Sequence, residues 1–150
     1  GWLHLAFLQI LLGALVAGID AGRSFTDWPW MMGQFFPPEA FSIEPIWKNF
    51  FENPGLVQFI HRITGYLLFA YGGMAFLRGR GSAHGATRAA FAAAFIALST
   101  QMVLGIYTVV TAAPWNIAIV HQILAIGVFV LILRARFLAA YPRVTSIRGA

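Results

Sequence analysis

The sequence predicts an all-α integral membrane protein, a single domain over residues 1–150 built as a pseudo-twofold four-helix bundle. Three observations lead there. Hydrophobic residues make up 59% of the chain and charged residues only 10%, whereas soluble domains carry about 25% charged residues. Four segments are long and apolar enough to span a bilayer, which takes roughly 20 residues each. Two of them hold a histidine at the same distance from the segment start.

The first helix is expected over residues 2–19 and the second over 55–77, started by Asn53-Pro54, because proline suits the first helical turn. The third is expected over 89–112 and the fourth over 115–133, with Pro114 breaking the chain between them. The connections are unequal: a long loop at 20–54, a short basic glycine-rich loop at 78–88, a tight turn at 113–114 and a loose basic tail at 134–150. The chain enters an apolar stretch directly from Gly1, without a signal-peptide pattern, so it reads as a cut through a longer protein or an incomplete reading frame.

Charge predicts orientation. Arg78, Arg80, Arg88, Arg134, Arg136, Arg143 and Arg148 lie on one side of the segments, against Arg23, Lys48 and Arg62 on the other, which also holds all five acids, Asp20, Asp27, Glu39, Glu44 and Glu52. The positive-inside rule puts the seven-arginine side and both termini in the cytoplasm, and the long loop in the periplasm. The basic residues flank apolar segments instead of forming one soluble face, which argues against nucleic acid. The absence of cysteine removes disulfide, zinc-thiolate, iron–sulfur and thiol-nucleophile chemistry.

An internal repeat underlies the pseudo-symmetry. Gln9-Ile10-Leu11-Leu12-Gly13 in the first helix matches Gln101-Met102-Val103-Leu104-Gly105 in the third, and Ile60-His61-Arg62-Ile63 in the second matches Val120-His121-Gln122-Ile123 in the fourth. His61 lies six residues after Gly55 and His121 six after Trp115, each about 9 Å below its helix start. Histidine inside a membrane segment is costly and functional by default. Two at one depth suit an iron that takes two nitrogen ligands, most simply a heme between diagonal helices; a proton relay is the main competitor. His4 and His84 are expected to have no such role.

Other residues have weaker assignments. Arg62 points about 100° away from His61 and is expected to reach the periplasmic surface and meet heme propionates, or else to pair with Glu52. The aromatic loop (Trp28, Trp30, Phe35, Phe36, Phe41, Trp47, Phe50, Phe51), stiffened by Pro29, Pro37 and Pro38, reads as an interfacial belt or a lid that keeps water from a heme edge. Gln58, Gln101 and Gln122 need partners inside the membrane and are expected to glue helices or support the ligands. Gly13, Gly65, Gly105 and similar small residues allow close packing or ring clearance.

Several motifs together resemble heme A synthase. They are Ala17-Gly18-Ile19-Asp20-Ala21-Gly22-Arg23, Trp28-Pro29-x-Met31-x-Gly33, Pro37-Pro38, Asn49-Phe50-Phe51-Glu52-Asn53, Val57-Gln58-Phe59-x-His61-Arg62, Gln101-x-x-Leu104-Gly105 and His121-Gln122. The resemblance covers nearly the whole chain. It implies one half of an eight-helix protein that oxidises the C8 methyl of heme O to a formyl group, making heme A for cytochrome oxidase. Gln58 stands where the substrate half would carry glutamate, so the resemblance is to the carboxy-terminal half, which holds a heme b cofactor.

By that resemblance His61 and His121 are the axial iron ligands. No residue maps onto the catalytic carboxylate, so this half alone is not expected to catalyse. The implied partners are the amino-terminal half with its heme O substrate, heme O synthase, the cytochrome oxidase assembly machinery and the lipid bilayer, in a bacterial inner membrane. The rival readings are a b-type cytochrome subunit passing electrons from quinol, and a heme-free helical anchor or transporter fragment.

Overall fold

A computed structural model describes residues 1–142. Arg143 and Arg148, counted above on the arginine-rich side, lie outside the described residues. The elements are α1 (Trp2–Gly18), α2 (Asn49–Glu52), α3 (Pro54–Gly79), α4 (Gly85–Val110) and α5 (Trp115–Ala140), with 3-10 turns at Ala21–Arg23 and Ile46–Lys48. The described residues form no strand.

The four long helices are those expected, with α2 added as a single turn before α3. Two boundaries differ by four residues or more. Helix α4 starts at Gly85, ahead of the expected 89, because Thr87 and Ala90 both find buried positions on one face. Helix α5 runs to Ala140, so the stretch from Arg134 to Ala140 is helix and not loose tail. The stretch is made of helix formers. Ala135 and Leu138 are buried one turn apart, and the Thr87 hydroxyl donates to the Leu138 carbonyl at 3.0 Å. Pro142 follows, where a helix cannot readily continue.

By length and apolarity α4 and α5, 26 residues each, can cross a membrane. Helix α1 has 17 residues, about 26 Å of rise. Helix α3 has 26 but carries Gln58, His61 and Arg62 in its first three turns. Four full crossings were expected, and two helices meet both criteria.

Helix α1 packs on α3 and α5, and α4 packs on the same two. Exchanging α1 with α4 and α3 with α5 leaves that pattern unchanged. The core is concentrated at one end. Trp2 and Ala6 of α1, Leu68 of α3, Ala90, Ala94 and Leu98 of α4, and Val128, Ile132, Ala135 and Leu138 of α5 form one buried cluster near the 80–84 connection. Gly72 permits this close packing, since a Cβ there would lie 2.5 Å from Leu98 and 3.2 Å from Trp2. Toward the other end, α1 after Ala6, α4 after Leu98 and α5 before Val128 contribute no fully buried residue. Both histidines lie at that end, where the fully buried residues belong to the start of α3 (Leu56, Val57, Gln58) and to the loop (Ala21, Met31, Asn49).

Candidate functional site

The site begins with the start of α3. Asn53 caps the helix by accepting the Leu56 N–H at 3.0 Å, satisfying a donor that the first turn leaves free. Its amide donates to the Glu39 carbonyl at 2.7 Å. Asn49, fully buried, accepts the Ile43 N–H at 3.0 Å and donates to the carbonyls of Ile43 and Ile46 at 2.7 and 2.9 Å. The two asparagines thus stitch the end of the long loop to the helix that presents His61. Gly55 lets the loop lie flat, because a Cβ there would meet Phe25 and Pro37 at 3.1 Å.

Arg62 fastens the middle of the loop. Its Nη1 donates to the carbonyls of Asp27 and Trp30, each at 3.0 Å. Its Nη2 donates to the Phe25 carbonyl at 2.9 Å and the Gln58 Oε1 at 3.1 Å. Gln58, buried, also donates to the Phe25 carbonyl at 3.1 Å. Arg62 thus meets loop carbonyls, where the sequence suggested propionates or Glu52, and its Nε is buried without a partner. The Asp27 carboxylate accepts the N–H groups of Met32 and Gly33 at 3.0 Å, closing a turn in which both residues have positive φ. Those bonds, the Gly33 N–H foremost, hold the Asp27 pKa below its ordinary value.

The aromatic residues divide. Phe35 and Phe36 pack edge-on against Phe59 of α3, and the Trp28 indole donates to the Tyr66 hydroxyl at 2.8 Å. Trp30, Trp47 and Phe51 remain about half exposed or more. The loop therefore covers the outer half of α3 and turns other rings outward.

The histidines sit in matched settings. On α1, the Gln9 amide donates to the His61 carbonyl at 3.0 Å and lies 3.1 Å from Nδ1 of the same ring. One turn on, a Cβ at Gly13 would be 3.2 Å from His61 Cε1. On α4, the Gln101 amide donates to the His121 carbonyl at 2.9 Å, and a Cβ at Gly105 would be 2.8 Å from His121 Cε1. Each imidazole is thus set by a glutamine and a glycine four residues apart on the neighbouring helix. The repeat contained this signal as Gln-x-x-x-Gly, but sequence reasoning gave Gln9 no role. The settings differ in one respect: the Gln9 amide reaches the His61 ring, while His121 Nδ1 is buried without a partner. Gln122 is exposed and His4 lies on the exposed start of α1, away from both rings.

This donor set is selective about metal. The described residues hold no cluster of three or more His, Cys, Asp or Glu, so they do not build a protein cage of three or four ligands. Two imidazoles suit an iron whose other four nitrogens come from its own macrocycle. The glycine in front of each ring, the unpartnered His121 Nδ1 and the lack of fully buried residues in the facing stretches of α1, α4 and α5 all fit a flat ring between the helices.

The chain matches the cytochrome oxidase assembly protein family, COX15-CtaA, over residues 1–133. It is 72% identical to the heme A synthase of Ruegeria pomeroyi over 149 residues, covering 99% of this chain and 39% of that protein. It is 64% identical to that of Roseobacter denitrificans, with the same coverage of each, and 56% identical to that of Paracoccus denitrificans, again over 99% and 39%. The chain therefore spans about two-fifths of the length of these relatives. No solved structure matches it.

Proposed function

The chain belongs to the COX15-CtaA family of cytochrome oxidase assembly proteins, and on that premise we propose that it is the heme b-binding, carboxy-terminal half of a heme A synthase. The family and the two long apolar helices support a membrane location. In our reading it spans a bacterial inner membrane as a four-helix bundle, with the arginine-rich end in the cytoplasm.

The observation that carries the proposal is the twofold recurrence of one setting, His61 beside Gln9 and Gly13 and His121 beside Gln101 and Gly105. His61 and His121 would hold the iron. When bound, a heme held by two imidazoles would supply one-electron transfer. Heme O oxidation would then belong to the other half of the full-length protein, served by electrons passing through this one.

The chain's own residues prepare that task. Gln9 and Gln101 bond to the backbone carbonyls of the histidines and so tie each ligand-bearing turn to its neighbour. Gly13 and Gly105 leave the imidazoles room at the helix interface. Arg62 brings positive charge to the end where propionates need a cation, while its N–H groups hold the loop that shields the site from water.

The test is optical. Purified in mild detergent with heme supplied, the protein should show a sharp reduced b-type α band, lost in both His61→Ala and His121→Ala. A folded, heme-supplied wild type without a Soret band would overturn the ligand assignment. A band that responds to quinol, in a protein unable to support heme O oxidation once joined to the other half, would point to a b-type cytochrome instead.

A further inference from the structure

Two adjoining hollows open at the arginine-rich end, far from the histidines. The larger, of about 410 Å³, is lined by Tyr71, Met74, Ala75, Arg78 and Phe91. The second, of about 310 Å³, shares Arg78 and Phe91 and continues past Ser82 and His84. The floor is fixed. The Phe91 ring occupies the space that a Cβ on Gly79 would fill, and it stacks on Trp2 with centroids 6.2 Å apart and planes 14° apart.

Tyr71, Met74, Ala75 and Arg78 fall at i, i+3, i+4 and i+7, which lines them along one face of α3. The stripe is apolar for two turns and ends in a guanidinium near the helix terminus. That is the order of a phospholipid read from acyl chain to phosphate. Among the described residues no acidic side chain stands at this end: all five acids lie between Asp20 and Glu52, at the opposite end. The neighbouring Arg88 is engaged otherwise, donating to the carbonyls of Ser82 and Ala83 at 2.8 and 3.2 Å.

We propose that this groove between α3 and α4 binds one anionic phospholipid of the bilayer, with an acyl chain along Tyr71, Met74 and Phe91 and the phosphate at Arg78. Basic residues near an anionic leaflet attract its headgroups, and basic recesses between helices select them. The site is independent of the histidines and of any cofactor they hold.

Native mass spectrometry of the protein in mild detergent tests it, with dioleoylphosphatidylglycerol and dioleoylphosphatidylcholine as probes and circular dichroism to show that each variant is folded. The expected result is one retained phosphatidylglycerol and no retained phosphatidylcholine. Arg78→Gln should weaken retention about fivefold, Arg78→Lys should preserve most of it, and Arg134→Gln should match the wild type. Equal retention of the two lipids would overturn the proposal. So would an equal loss in Arg134→Gln, which would mean diffuse charge attraction. Displacement by millimolar inorganic phosphate would overturn it too, marking an anion site without an acyl groove.

Discussion

Asp27 carries more of the loop than its position in the sequence suggests. Its carboxylate closes a turn by accepting the N–H groups of Met32 and Gly33 while Arg62 holds the Asp27 carbonyl. Because these bonds favour the charged form, the folded pKa lies below the ordinary 3.8. The stability it contributes is fully present above 3.8 and is lost as pH falls through the lower folded value. Acid titration of the tryptophan fluorescence from Trp28 and Trp30 should therefore show a loop transition centred below pH 3.8. Asp27→Asn should remove that transition and loosen the loop at neutral pH. A transition unchanged in Asp27→Asn would assign it to another group. Arg62 belongs at the same scale: the sequence suggested propionates or Glu52, and its donors meet the carbonyls of Phe25, Asp27 and Trp30 and the Gln58 side chain.

At the scale of the element, the informative unit is the helix pair. Helix α1 with α3, and α4 with α5, each join a glutamine-and-glycine face to a histidine face. The two glycines are not equally tolerant. An added Cβ would be 2.8 Å from His121 Cε1 at Gly105, but 3.2 Å from His61 Cε1 at Gly13. The first distance forces the imidazole to move and the second asks for a few tenths of an ångström. Gly105→Ala should therefore diminish or shift the reduced α band substantially while leaving helical content unchanged, and Gly13→Ala should have the smaller effect. The reverse order would mean that His121 has space to rotate and that the clearance at Gly105 is not what sets its orientation.

At the scale of the whole molecule, the packing is polarised. One end is a closed core between the helices around Ala94 and Ile132, 0% and 1% exposed; at the other the loop and the start of α3 bury Met31, Asn49 and Val57, while the facing stretches of α1, α4 and α5 hold no fully buried residue. In the proposed reading those stretches can take a flat ring without rearranging the core at the far end. Ile132→Ala should consequently cost about 2 kcal/mol in unfolding, at the low end for such changes because lipid in place of water leaves mainly the cavity cost. The α band of the folded fraction should not change. Loss of the band in folded Ile132→Ala would show that the two ends are mechanically coupled.

The sequence by itself determined the all-helical class, the four long helices and the membrane character, because composition and apolar run length report directly on the solvent a segment prefers. The loop motifs likewise determined the family, since the matched asparagine, glycine and His-Arg positions are local signatures. Tertiary structure decided what the sequence left ambiguous. Helix α5 passes its last purely apolar turn because Ala135 and Leu138 find partners on neighbouring helices. Gln9 stands at His61 because α1 packs on α3, a pairing 52 residues apart in the chain that no local pattern encodes. Arg62 is drawn to the loop backbone because folding brings three loop carbonyls within reach of its planar fork, and backbone carbonyls offer no side-chain signal to read in advance.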